Sequence, residues 1–215
     1  MENLAVISKM ILAIILAVGG ALKGNQMVNN LYHSVDTSIL SYPYQLTARG
    51  KIRQRFLAGI LSLIFCMTLL THEFSISIIL LLLMEYILIL MTFTDFEQHV
   101  ILDAMLVPLA VIGIIFAVVS GEPLNHLAAA LGGGLGFLIL GLITHGAIGG
   151  GDIKLIAALG LWLGAIMLLK TIVISLVAGG IAAGLLMLLG KKKRGEFFAY
   201  GPYFTIAAII LIIFD

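Results

Sequence analysis

The sequence predicts an all-α, polytopic membrane protein, and three observations carry that expectation. Of 215 residues, 61% are hydrophobic and only 11% are charged, with a mean hydropathy of +1.18. The apolar residues fall in runs long enough to cross, or nearly cross, a hydrocarbon core of ~30 Å. Basic residues collect at alternate breaks between those runs. A water-soluble chain of this length needs polar surface that is absent here, so most of the solvent must be lipid.

Eight apolar segments can be drawn, at about Leu4–Leu22, Phe56–Leu70, Ser75–Thr94, Ala104–Ser120, Leu124–Thr144, Ile153–Leu169, Thr171–Gly190 and Tyr200–Phe214. The even count puts both termini on one side. If residues 23–55 form a cytoplasmic loop, so do 96–102, 145–152 and 191–196. Ten of the twelve basic residues then face inward: Lys23, Arg49, Lys51, Arg53, Arg55, Lys154, Lys191, Lys192, Lys193 and Arg194. Only Lys9 and Lys170 remain on the outer half, so the positive-inside rule places both termini outside. Lys9 and the run Met10–Leu22 have the look of a signal peptide. Its removal would leave Arg49, Lys51, Arg53 and Arg55 outside, against that rule, and the segment is kept as a membrane helix.

Residues 1–215 are expected to form a single membrane-embedded domain. The stretch 23–55 is its one sizeable polar loop, with Pro43, several Tyr and Asn residues, a basic end suited to anionic headgroups and room for a short interfacial helix. Nucleic acid is not an expected partner; the bilayer is. Cys66 is the only cysteine, which excludes an internal disulfide and a cysteine-based zinc site. His99, His126 and His145 fall in different loops, and no metal is expected. Gly132, Gly133, Gly134, Gly136 and Gly141 suggest close helix packing in the fifth segment.

Two carboxylates stand where apolar helices meet the same face. Asp152 follows the glycines Gly149, Gly150 and Gly151 and opens the sixth segment; capping alone would also account for a short acid there. Asp95 closes the third segment, where the helix dipole disfavours an anion; a headgroup-level residue solvated beside Glu97 is the plain alternative. Ionisable groups at such depths are usually functional. Opposite helix poles pull the proton affinities of two such acids apart, the pattern of a general acid and base. The expectation is that Asp95 and Asp152 meet as an aspartyl protease site at the cytoplasmic rim, Asp152 as base and Asp95 holding the shared proton. Glu85, midway along the third segment, is expected to serve packing or to line a polar cavity. Lys154 either steadies a carboxylate or snorkels to headgroups. A Walker loop is not supported, because no lysine and hydroxyl follow the glycines at the required spacing.

These residues resemble one family, the type IV prepilin peptidases, membrane aspartyl proteases of the GxGD class. Gly149-Gly150-Gly151-Asp152-Ile153-Lys154-Leu155 is similar to the pattern G-x-G-D-x-K-L. Asp95 through Asp103 resembles the other signature, an aspartate followed eight residues later by Pro-Asp, with Leu102 in place of the proline. Tyr200-Gly201-Pro202-Tyr203 is similar to F-G-P-Y. The likeness covers about residues 94–215. It implies that Asp95 and Asp152 activate a water that cuts the basic leader from a prepilin or pseudopilin at the cytoplasmic face of a bacterial inner membrane. No cofactor is implied for that step. Gly149, Gly151, Lys154, Asp103, Gly201 and Pro202 would support the site, with Asp103 opening the fourth helix.

Many family members also carry Cys-x-x-Cys pairs and methylate the new N-terminus from S-adenosylmethionine. The paired cysteines are absent here, and residues 19–25 are only a faint echo of the family's G-S-F-x-N, so methylation is left open. Two other readings compete. A presenilin or signal-peptide-peptidase type shares Gly-x-Gly-Asp but pairs it with Pro-Ala-Leu, where this chain has Gly201-Pro202-Tyr203. A proton or cation transporter subunit would also use membrane acids, yet would place them nearer mid-membrane.

Overall fold

Each apolar run becomes a helix, because backbone amides leaving water must bond within their own segment. In the computed structural model the described residues are 2–42, 46–146, 148–191 and 199–214. They contain α1 (Glu2–Ser34), a 3-10 turn (Thr37–Ile39), α2 (Leu46–Thr71), α3 (Ile76–Gln98), α4 (Asp103–Val119), α5 (Pro123–Ile143), α6 (Gly150–Leu188) and α7 (Gly201–Phe214), with no strand among them. Five helices (α1, α2, α3, α5 and α6) are long and apolar enough to cross a membrane, and α4 and α7 are shorter apolar helices. The chain is therefore read as a multi-pass membrane protein. Pro43, the basic run Lys192–Arg194 and Ala147 lie outside the described residues.

The chain divides into two compact units, Met1–Val100 with Ile213–Asp215, and Ile101–Ile212. In the first, α1 buries a stripe at three- and four-residue spacing, small at Ala13, Ala17, Ala21 and Gly24 and continued by Val28 and Tyr32. Small side chains on one helical face let neighbouring backbones approach closely. Here they admit Tyr86 and Leu90 of α3, which lie where a side chain at Gly24 would stand. The stripe runs past Lys23, and that is why α1 continues to Ser34 where the sequence suggested a loop. With α2 starting at Leu46, most of the expected 23–55 loop is helical.

In the second unit, glycines on α5 and α6 take the place of larger side chains at the helix contact. A Cβ at Gly160 would lie 2.5 Å from the backbone of Ala130, and one at Gly134 would lie 2.9 Å from Ala157. Contacts of Gly141 with Ile153, Gly134 with Ala157 and Ala130 with Gly160 make α5 antiparallel to the first half of α6. Trp162 ties that half to α4, donating from Nε1 to the Leu109 carbonyl at 2.8 Å and stacking on Phe116.

The sixth and seventh apolar segments differ from expectation in where they part. The break expected near Lys170 falls at Gly164, whose φ of 66° and ψ of 179° interrupt α6. A side chain there would be strained and would also strike Asn125, which accepts from the amide of Ala165 at 3.1 Å. Beyond Gly164 the chain folds back, so that Leu168 and Ile156 both reach Gly133. Lys170 is an exposed residue inside the second half of α6. After α5, His145 (φ 53°) and Gly146 close the helix, their amides donating to Leu142 and Gly141 in a Schellman arrangement.

Candidate active site

Asp95 belongs to the first unit. It sits in the last turn of α3, only 4% exposed, at the end of a helix whose buried face is largely aliphatic up to Met91. His99 ends the helix in the left-handed conformation (φ 54°, ψ 40°), and its amide donates to the carbonyl of Asp95 at 2.9 Å. That conformation costs a non-glycine residue about 1–2 kcal/mol, so the stop at His99 must be held by its surroundings. Its neighbour Glu97 is buried as well and accepts from Arg53 Nη1 at 2.6 Å.

Asp152 belongs to the second unit. Gly149 is the N-cap of α6, so Asp152 is the third helical residue rather than the cap itself, and no side-chain cap bond is made at that terminus. Its carboxylate is half-buried, near the free amides of the first turn, where the helix dipole favours an anion. The flanking glycines have steric reasons. A Cβ at Gly149 would lie 3.3 Å from Asp152 Oδ2, and one at Gly151 would lie 3.0 Å from the Cβ of Ile101.

The supporting residues of the second unit collect near that helix start. Lys154 Nζ donates to both carboxylate oxygens of Asp103 at 2.8 Å, pinning the start of α4 to the start of α6. Asp103 does open α4. Gly201 and Pro202 begin α7, where proline's missing N–H costs nothing. Ser175 Oγ donates to the carbonyl of Tyr203 at 3.0 Å, and Tyr200 lies where a side chain at Gly179 would stand. On α5, Gly141 meets Ile153 beside Asp152, and one turn earlier Phe137 meets Phe204 edge to face. The Gly201-Pro202 turn therefore lies at the same end of this unit as Asp152.

Other expected groups are engaged elsewhere in their own units. Glu85 is fully buried, accepting from Thr68 Oγ1 at 2.5 Å, while its Oε2 meets no partner among the described residues. His126 is held in place inside α5 by Ser120 and the Leu161 carbonyl. The role of Arg53 was not legible as chemistry, since its charge counted only toward orientation. A signal existed in Asn25, Asn29 and Tyr32, polar residues at helical spacing that continue the buried face of α1.

The profile of the type IV leader peptidase family matches residues 81–214. A prepilin leader peptidase/N-methyltransferase of Neisseria gonorrhoeae is 35% identical over 133 residues, 58% of this chain and 44% of that protein. A protein of the same description from Aeromonas salmonicida (strain A449) is 31% identical over 166 residues, 73% of this chain and 55% of its own length. One from Bacillus subtilis (strain 168) is 33% identical over 90 residues, 40% and 36% of the two chains. The chain thus spans about half the length of the first two relatives it matches. No solved structure matches it.

Proposed function

The chain belongs to the type IV leader peptidase family, and from that premise we propose that it is an aspartic endopeptidase removing the basic leader of a prepilin or pseudopilin. Asp95 and Asp152 are the catalytic pair in this reading, working at the cytoplasmic face of a bacterial inner membrane with both termini outside. One observation carries it. The two carboxylates of the family motifs stand at opposite helix poles, Asp95 in the last turn of α3 and Asp152 in the first turn of α6. The helix dipole is kinder to an anion at the start of α6 than at the end of α3, which supports giving the base role to Asp152 and the acid role to Asp95.

Asp152 takes a proton from water as the water oxygen attacks the scissile carbonyl carbon. Asp95 gives its proton to the carbonyl oxygen, producing a neutral tetrahedral diol. Collapse breaks the C–N bond. Asp152 passes its proton to the leaving amine, which becomes the new pilin N-terminus, and a hydroxyl proton of the diol returns to Asp95. Both groups are then reset, and the leader departs with a carboxyl terminus. Lys154 and Asp103 hold the Asp152 helix start, while Gly149 keeps a side chain away from the reacting carboxylate and Gly151 makes room for Ile101. Gly201 and Pro202 set the neighbouring helix start.

The test uses the purified chain in liposomes with a leader-bearing prepilin, the product being followed by mass spectrometry. Loss of a leader-sized fragment in the wild type and its absence in Asp95→Asn and Asp152→Asn is the expected result. Cleavage by all three proteins would overturn the assignment. The mass also locates the bond, and a cut inside the membrane span would move the chain toward the presenilin type. An added methyl group with S-adenosylmethionine present would extend the reading to methylation, which the proposal does not include.

A further inference from the structure

The turn that carries Asp95 is gripped by polar residues that precede the family-matched stretch. Glu97 Oε2 accepts from Arg53 of α2 at 2.6 Å and from the Tyr32 hydroxyl of α1 at 3.1 Å. Arg53 is 2% exposed, and its Nε and Nη2 both donate to α1. Nε donates to Asn25 Oδ1 at 2.9 Å, and Nη2 donates to Asn29 Oδ1 and to the Asn25 carbonyl. The guanidinium also lies 5.7 Å from the centre of the Tyr32 ring. The next residue, Gln98, exchanges two hydrogen bonds with the backbone of Tyr42, at 2.8 and 3.2 Å. His99 then sets its ring edge-on to that of Tyr42. Three consecutive residues just beyond Asp95 are therefore fixed by α1, by the link after it and by α2.

Stability alone does not explain such a device. A buried ion pair loses the hydration of both charges, and apolar residues of similar volume often serve stability as well or better. What a fully bonded polar network provides is one defined arrangement. A carboxylate in general acid–base catalysis needs that definition, because a misplacement of about 1 Å can cost on the order of 10²-fold in rate. Glu97 stands about 200° around the helix from Asp95. The Arg53–Glu97 pair is thus on the side of the turn away from Asp95, while Gln98 and His99 follow on nearer sides.

We propose that Arg53, oriented by Asn25 and Asn29, is a positioning residue that acts through Glu97 to hold the last turn of α3, and with it the Asp95 carboxylate, in the reactive arrangement. This rests on the peptidase reading of Asp95. It also gives Asn25, Asn29 and Arg53, which precede the family-matched stretch, a part in positioning the site.

The experiment measures kcat, KM and the thermal midpoint of the full chain in liposomes with a leader-bearing prepilin. The proteins are the wild type, Asp95→Asn, Arg53→Gln, Arg53→Lys and the double variant Arg53→Gln with Glu97→Gln. For Arg53→Gln, kcat per folded molecule is expected to fall about 10- to 100-fold with KM within about twofold of the wild type. Arg53→Lys keeps the charge but not the planar fork, and should fall less. The double variant leaves no unpaired buried charge and is expected to fold, so it decides the question if the single variant does not. Its kcat should be about tenfold down, and no lower than that of the single variant. A wild-type kcat per folded molecule in the double variant, or in a folded Arg53→Gln, overturns the clamp alone when Asp95→Asn is dead. Undiminished cleavage by Asp95→Asn would overturn the peptidase reading and the clamp with it.

Discussion

Asp95 and Asp152 are held in opposite ways. Asp95 ends a helix, is buried, and sits beside a dense polar network contributed by α1, α2 and the link between them. Asp152 begins a helix, is half-buried, and follows glycines at which a side chain would crowd its carboxylate or Ile101. The turn of the first is fixed by bonds to its neighbours' side chains, whereas the second stands in the first turn of its helix behind a run of glycines. Under the proposed mechanism the difference fits a division of labour in which the acid must be aimed and the base must stay accessible to water.

The largest expected effect removes either acid. Asp95→Asn and Asp152→Asn should each lower leader cleavage by about 10²- to 10⁴-fold, read as initial rates on a prepilin. Near-equal losses would mark a pair acting as one unit. A much milder loss at one of them would break the symmetry that the mechanism requires.

Next come the glycines that hold the second unit together. A Cβ at Gly160 would enter the backbone of Ala130, so Gly160→Ala should lower stability by about 1–3 kcal/mol, seen as a lower thermal midpoint. Gly164→Ala adds left-handed strain to a clash with Asn125 and should behave alike. An unchanged midpoint in both would mean that α5 and α6 are less tightly apposed than their glycines indicate.

Gly151→Ala probes the free space around Asp152. Its new methyl meets the Cβ of Ile101 at 3.0 Å, so the start of α6 must shift by a few tenths of an ångström. A fall in kcat of about tenfold with an unchanged thermal midpoint is expected, and Gly151→Val should be worse. The smallest effect belongs to Lys154 and Asp103, a surface pair with side chains 57% and 67% exposed. Lys154→Ala should change stability by less than about 1 kcal/mol, and raised salt should erase even that.

The sequence by itself determined the helices and the positions of Asp95 and Asp152 at their ends. Transfer from water to lipid depends on local composition, and acids are too costly in lipid to go unnoticed. Other features were open to no local reading. Arg53 counts as a charge for any orientation rule, yet whether it meets headgroups or a buried carboxylate depends on which helix lies beside it. Likewise Lys170 marks a break in hydropathy, whereas the chain turns at Gly164. A lysine can remain helical while its ammonium reaches water, and only a glycine accepts the backbone angles of that turn. Only the tertiary structure decided the extension of α1 to Ser34, the pairing of Arg53 with Glu97 and the fold-back within α6. Each rests on contacts between residues distant in the chain, and hydropathy, summed along the chain, carries no record of them.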